Sequence, residues 1–390
     1  MALMFEDANL YASLSGEVSP YEGEAISIRT FGYPIPLQVT PDQEVLTSEG
    51  WQPAAELRPT DWLAFTIPQG DTLDSGLSAL LPAPPLSAPR TVSRLSGARL
   101  PVSRSALAQH LSDGLSYQQI AELYGRKHRA SAFDWALHYG LTRTAHHVLQ
   151  GDPTNDPDFW RIVGYWLAEG DVTTSRKGGD PNVVRWTFGL DEESYAEDVA
   201  AVLGRYDINV NWHAVNGASS LTVRCSSQQL AKFMTQMGHG AHNKRLPSEL
   251  VLLCETYARE LVRGYWAGDG TVTPVGGTMN DGWARIASVS LPLLTAVHQI
   301  LARLGVASSL MWGVTPTQTR YEVRFPVSSA SWLGVPGRKI RQKTVAIEGA
   351  RLLTKVKALE STQARGQALM LTSALGEVIP HNFALRTMPK

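Results

Sequence analysis

From residue 20 to residue 65 apolar and polar positions alternate in short runs. YEGEAISIRT (21–30) and QVTPDQEVLT (38–47) flank a Tyr-Pro-Ile-Pro turn, and a Gly-Trp turn at 50–51 leads into AAELRPTDWLAFTIP. Period-two runs bounded by turn residues predict short strands. Residues 66–104 lose this pattern and become rich in Pro, Ser, Ala and Leu (LLPAPPLSAPR), the composition of a linker. Between 105 and 145 the period becomes helical. Tyr117–Leu123 turns Ile120 and Ala121 inward, Gly125 sits in a turn, and Arg126–His138 forms a further helix. From 155 to 335 helix and strand patterns alternate. Strands are predicted at Val183–Gly189, Ile208–Ala214 and Ser220–Cys225, with helices at Glu192–Tyr206 and Ser227–Met237. The order then recurs as a strand at Ala284–Leu291, a helix at Pro292–Leu304, and strands at Ala307–Gly313 and Arg320–Phe325. The last 45 residues or so return to strands.

Inside this succession one phrase occurs twice. Residues 162–170 read IVGYWLAEG and residues 262–270 read VRGYWAGDG. Such repetition points to a duplicated unit of order α-β-β-α-β-β-α, with halves at 155–245 and 255–335. Gly164 and Ala168, like Gly264 and Gly268, lie four apart and share one helix face, which permits close approach of a second helix. The acids Glu169 and Asp269 then emerge together at the helix ends, where Gly170 and Gly270 act as stops. Two carboxylates held side by side call for a hard divalent cation.

Composition adjusts this picture modestly. The net charge of −1 argues against DNA binding only while the chain is averaged. Residues 1–95 hold 4 Arg and 12 acids, whereas the remainder holds 31 basic and 24 acidic residues, so the doubled unit lies in the basic part. Two cysteines, Cys225 and Cys254, are too few for a disulfide scaffold or a zinc site. No apolar run reaches the roughly 18 residues of a membrane span. The first residues lack the basic-then-apolar pattern of a secretion signal, so an intracellular protein is expected.

The two phrases resemble the paired signature of LAGLIDADG (DOD-type) homing endonucleases. The resemblance spans residues 155–335 and implies a DNA endonuclease acting as a pseudo-two-fold monomer on double-stranded DNA. It assigns catalytic metal, two or more Mg2+ ions, to Glu169 and Asp269 with backbone at Gly170 and Gly270. HNKRLPSEL (242–250) resembles the family's Lys-x-[Ile/Leu]-Pro block, which makes Lys244 the lysine that steadies the activated water or the phosphate charge. Lys339 or Lys343 would serve the second half, and Asp171 lies just beyond the motif as a residue that caps or orients the site. Sheet residues facing DNA would include Arg176, Lys177, Arg185 and Trp186 in the first half, with Arg285, Arg320 and Arg324 in the second. The stretch at 116–141 resembles a helix-turn-helix, with Lys127, His128, Arg129 and Ser131 near the start of the second helix, where base edges and phosphates are within reach.

The flanks resemble a Hint (hedgehog/intein) domain split in sequence. Val39, Thr40, Pro41, Asp42, Val45, Leu46, Gly50, Trp51, Leu57, Asp61 and Leu63 match its early block, and His381, Asn382, Phe383 and Ala384 match a late strand. The organisation expected is therefore a mostly-β Hint part at 1–95, a linker and helix-turn-helix at 96–150, an α+β endonuclease at 151–335, and the remaining Hint part at 340–390. The splicing positions depart from the pattern. Gln43 stands where inteins carry a histidine, and an amide is no general base near neutral pH. Met1-Ala2-Leu3 offers no Cys or Ser nucleophile, and Lys390 is reached before a closing Asn. Three readings follow: an endonuclease in a frame that no longer splices, a splicing element with altered junctions, and a DNA-binding regulator of the same fold that does not cut.

Overall fold

The computed structural model describes residues 2–5, 16–34, 36–72, 74–83, 100–113, 115–139, 141, 148–173, 181–214, 219–275, 278–314, 319–335, 342–371, 377–378 and 385–386. The alternating N-terminal runs become strands β1 (Ala2–Phe5), β2 (Gly16–Thr30), β3 (Leu37–Val39), β4 (Glu44–Thr47), β5 (Gly50–Pro53) and β6 (Trp62–Thr66). Their inward positions, among them Ile28, Val39, Val45, Leu63 and Phe65, are buried. A short helix α1 (Asp74–Ser78) follows. Three helices, α2 (Arg104–Ser112), α3 (Tyr117–Leu123) and α4 (Arg129–His138), close over their own small core of Leu107, Ile120, Ala132 and Trp135. A capping box at Ser116 and Gln119 starts α3, and Gly125 turns the chain with φ +70°. The helix expected from Arg126 begins three residues later, so Lys127 and His128 lie in the turn and Arg129 opens α4.

The doubled unit starts with α5 (Pro157–Glu169), capped by Asp156 with Pro at its first position. Strands β7 (Gly170–Thr173) and β8 (Val183–Gly189) follow, then α6 (Glu193–Gly204), β9 (Val210–Ala214), β10 (Ser220–Ser226) and α7 (Gln228–Thr235). After α8 (Ser248–Val251) the pattern returns as α9 (Glu255–Asp269), β11 (Gly270–Val275), β12 (Thr278–Ser288), α10 (Leu291–Arg303), β13 (Ser309–Val314) and β14 (Thr319–Pro326). The sheets have matching antiparallel orders, β7-β8-β10-β9 and β11-β12-β14-β13. Strands β7 and β11, which the sequence did not reveal, run directly out of the acid-glycine pairs. The seventh element of the second copy is a 3-10 segment, Val327–Leu333, in place of a helix.

The chain closes with β15 (Val345–Glu348), β16 (Arg351–Leu371), β17 (Glu377–Val378) and β18 (Leu385–Arg386). Strand β16 pairs with β2 and with β6, which joins the two ends of the chain in one ten-stranded sheet of order β1-β3-β2-β16-β6-β4-β18-β17, with β15 added on β16 and β5 on β4. The stretch expected to be a free linker is packed over its first part. Arg303 holds the Pro68 carbonyl (2.8 Å) and Asp71 (2.8 Å), Thr72 donates to the Leu252 carbonyl (2.7 Å), and Gln236 and Gln229 donate to Leu80 (2.7 Å) and Pro82 (2.9 Å). Leu77 is fully buried, an anchor that low-complexity composition conceals. Among the described residues no helix is long and apolar enough to cross a membrane.

Candidate active site and nucleic-acid face

Helices α5 and α9 cross in direct backbone contact. A Cβ on Gly164 would stand 2.6 Å from the Tyr265 nitrogen, one on Gly264 would overlap the Arg161 carbonyl oxygen, and one on Gly268 would lie 2.5 Å from the Ala168 Cβ. The small-residue faces expected from the sequence are therefore the contact surface. Arg161 fixes the arrangement with charge-assisted bonds to Asp158 (2.6 Å), Asp198 (2.7 Å) and Glu260 (2.8 Å), which tie α5 to α6 and α9.

This packing sets the acids together. The Gly268 Cβ position is 3.2 Å from Glu169 Cγ and 3.7 Å from its Oε1. Glu169 is exposed and Asp269 half-buried. Desolvation raises Asp269 to about 6; Glu169 adds to the rise, while Lys244, Tyr265 and Arg320 oppose it. Glu169 is also raised, by desolvation and then by Glu192, against Lys244. The terminal glycines end both helices, as expected. Gly170 (φ −100°) and Gly270 (φ −82°) are extended, not left-handed. Glycine is needed there because a side chain would collide with the indoles of Trp166 and Trp266, over which the chain turns into β7 and β11.

Residues 156–238 and 256–323 match the family model described as a LAGLIDADG-like domain. The chain contains a LAGLIDADG-like domain. Part of the chain also resembles proteins with unrelated descriptions. These are an uncharacterized protein of Methanocaldococcus jannaschii (29% identical over 162 residues, 40% of this chain and 18% of that one) and an iron-sulfur cluster assembly SufBD family protein of Mycobacterium tuberculosis (31% over 153 residues, 38% and 17%). A DNA polymerase of Thermococcus litoralis matches at 26% over 165 residues, 41% of this chain and 9% of that one. The chain thus spans less than a fifth of these relatives' length. Among solved structures, the homing endonuclease I-DmoI in complex with DNA and Mn aligns with TM-score 0.36 and 15% identity over 47% of this chain and 98% of that one. The N-terminal LAGLIDADG domain of DUF199/WhiA aligns with TM-score 0.32 and 10% identity over 50% and 88%.

Lys244 of the LAGLIDADG-like domain is buried. Its Nζ donates to the carbonyls of Trp166 (2.9 Å), Leu167 (2.8 Å) and Ala168 (3.4 Å) and stands 5.0 Å from the Trp166 ring centroid. It caps the C-terminus of α5, where the helix dipole favours a cation. Burial lowers it to about 8, and the charges of Asp269, Glu169 and Asp171 resist that fall. Ser290 Oγ donates to the Lys244 carbonyl at 2.5 Å and holds the segment in place. Asp269, Lys244, Ala168, Ser288 and Arg320 line a cavity of about 310 Å³.

Asp171 is taken up by Arg185 (2.7 Å) and His239 (3.2 Å). Among the described residues no three His, Cys, Asp or Glu side chains converge on one point. The donor set nonetheless suits magnesium, which binds through one or two carboxylates and otherwise takes water and substrate phosphate. Two adjoining carboxylates that are both harder to ionise than normal are the electrostatic signature of a place that a divalent cation relieves.

Of the sheet residues, Arg185 and Arg285 face opposite Arg224 and Arg324 in the paired strands β10 and β14. They lie on the face away from Trp186, Val223, Ile286 and Val323, which are buried, so Trp186 points into the core and not towards DNA as expected, because neighbouring strand positions point to opposite faces. Sequence reading missed Arg224 and Glu322, although the alternation in LTVRCS and RYEVRF places both on that face. Lys127 and Arg129 are exposed on the three-helix unit. Arg176, Lys177, Lys339, and the His381–Ala384 match lie outside the described residues. Gln43 is buried in a turn beneath β4, where its Nε2 donates to the Glu44 carbonyl (2.7 Å) and its backbone carbonyl accepts from Ala54 (2.8 Å).

Proposed function

We propose that this chain is a metal-dependent, site-specific endonuclease that cuts both strands of double-stranded DNA and sits within a Hint-like β frame that does not splice. The observation that carries the reading is the pair Glu169 and Asp269, brought together by Gly264 and Gly268, beside the buried ammonium of Lys244. Glu169, Asp269 and the carbonyls at Gly170 and Gly270 would hold magnesium, which supplies an activated water and charge relief on the phosphate. The chain's own groups do the remaining work. The paired helices fix the carboxylates at one point, one for each strand. Lys244 places a positive charge beside both acids without leaving the helix end it caps. Arg320 adds a second cation at the wall of the Asp269 cavity. Both acids belong to one chain, so a monomer suffices to cut an asymmetric site.

The arginine-bearing sheet faces are the proposed groove readers, with Arg185, Arg285, Arg320 and Arg324 among them, and Arg176 and Lys177, outside the described residues, are proposed to add to the first half. The three-helix unit is proposed as a helix-turn-helix, and Lys127 and Arg129 beside Gly125 supply phosphate contacts. The Hint-like frame comprises the 1–95 and 340–390 segments, and the pairing of β2 with β16 supports that reading. The narrow overlap with relatives of unrelated description also supports a portable segment shared among different hosts.

The decisive experiment incubates the purified chain and Mg2+ with a randomised double-stranded DNA library. Site-specific cleavage that Glu169→Gln and Asp269→Asn abolish supports the endonuclease. Binding without cleavage on every sequence overturns it in favour of a DNA-binding regulator. Splicing is tested by expression between two tags; Gln43 in place of a base leads us to expect no ligated tag product.

A further inference from the structure

The second sheet carries an acid in the middle of a basic face. Along β14 the side chains alternate, so Arg320, Glu322 and Arg324 share one side while Val323 and Phe325 are buried on the other. Glu322 Oε2 accepts from Arg324 Nε at 2.9 Å and Nη2 at 2.6 Å. Its Oε1 stands 3.7 Å from Arg285 Nη1 and 3.8 Å from Arg320 Nε. The carboxylate side chain is 15% exposed, and the three guanidinium side chains around it are 33–46% exposed. The acid thus lies at the floor, with three arginines standing over it.

The pseudo-two-fold gives an internal comparison. Gly170 pairs with Trp186 and Gly270 with Ile286, and from these rows each strand position of one half maps onto the other. Arg185 and Arg224 then correspond to Arg285 and Arg324, but Thr222 stands where the second half has Glu322 and Ser220 where it has Arg320. The arrangement belongs to one half alone. An unrestrained arginine on an open sheet samples many rotamers, and a fixed guanidinium fork can meet guanine O6 and N7 with two parallel bonds. An acid on the same face also subtracts charge from the phosphate-attracting surface, which weakens binding that ignores sequence.

We propose that Glu322 is a specificity-determining positioning residue: it sets Arg324, Arg285 and Arg320 for guanine readout in one half-site and lowers affinity for unmatched DNA. The inference rests on the DNA-binding reading above. The test selects duplexes from a randomised library with the full chain and with Glu322→Gln, followed by titrations of the selected and an unrelated duplex at several salt concentrations. For Glu322→Gln we expect guanine preference to fall about tenfold at positions in one half-site while the other half-site is unchanged. Affinity for the unrelated duplex rises, and its log–log salt slope steepens by about 0.9 for each phosphate newly contacted. Arg324→Lys keeps the charge without the fork, so it loses the same guanine preference with no gain on unrelated DNA. Unchanged preference in Glu322→Gln, or equal loss in both half-sites, overturns the proposal. If the wild-type chain enriches no sequence, the DNA-binding reading itself fails and the proposal falls with it.

Discussion

Gly164 and Gly264 meet backbone to backbone: a Cβ on the first would stand 2.8 Å from the Cα of the second. Alanine at either position forces α5 and α9 apart and moves both acids. The expected loss of stability is about 1–3 kcal/mol, measured by denaturant unfolding, with cleavage lost even where the protein remains folded. Gly204, at the end of α6, supplies the control, since its Cβ position meets nothing within 4 Å. Gly204→Ala is expected to stabilise by about 0.5–1 kcal/mol.

Asp269→Asn is expected to stabilise the metal-free protein while it removes cleavage. The folded-state carboxyl is raised to about 6 from 3.8, so at pH 7 the ion is charged in both states and disfavours the folded one. The neutral amide relieves roughly 1–3 kcal/mol of that penalty. On the proposed metal reading magnesium should narrow the gap, since the wild-type pair would bind it more tightly than the variant. Melting temperatures with and without Mg2+ decide this; a variant that melts no higher without metal counts against it.

Lys244→Met strips three helix-end carbonyls of their donor and removes the cation that opposes the rise of both acids. A stability loss of about 1–3 kcal/mol is expected, with cleavage reduced more than DNA binding. Parallel gel-shift and cleavage titrations separate the two effects.

His298 gives the chain a pH-sensitive core. Burial lowers its imidazole to about 4 from 6.5; its Nε2 meets the Ser308 carbonyl at 2.9 Å, and the Tyr33 ring lies 5.8 Å away. Between these values the unfolded chain binds the extra proton, so stability falls as pH drops from about 6.5 towards 4. The loss from this group should approach about 2–3 kcal/mol. His298→Gln keeps a donor for Ser308 and should flatten that part of the profile in urea unfolding from pH 4 to 7. An unchanged slope would exclude His298 as its source.

Much of the site was legible because the phrase around Gly164 and Gly264 states its packing logic in the residues themselves. The positions of Arg185, Arg285, Arg320 and Arg324 on the sheets follow from period two, and the same alternation puts Arg224 and Glu322 beside them. What the sequence concealed was relational. Nothing local says that Gly170 and Gly270 serve an indole and not a left-handed turn, or that Lys244 is spent on the carbonyls of a helix 76–78 residues away. Strands β7 and β11 were missed because four to six residues carry too little periodicity to compete with the helix before them. The packed run from Pro68 to Pro82 was hidden by a composition that reads as slack chain.

The pairing of β16 with β2 and β6 has a consequence for what the β frame can hold. The Ile67 nitrogen donates to the Ala350 carbonyl at 2.9 Å, so the segment between them leaves and re-enters the β frame at one point. A fold whose interruption begins and ends in neighbouring strands barely registers the length of what is interposed, since the entropy of closing a loop grows only with the logarithm of its size. Whatever is interposed at such a seam therefore leaves the strand pairing on either side of it intact.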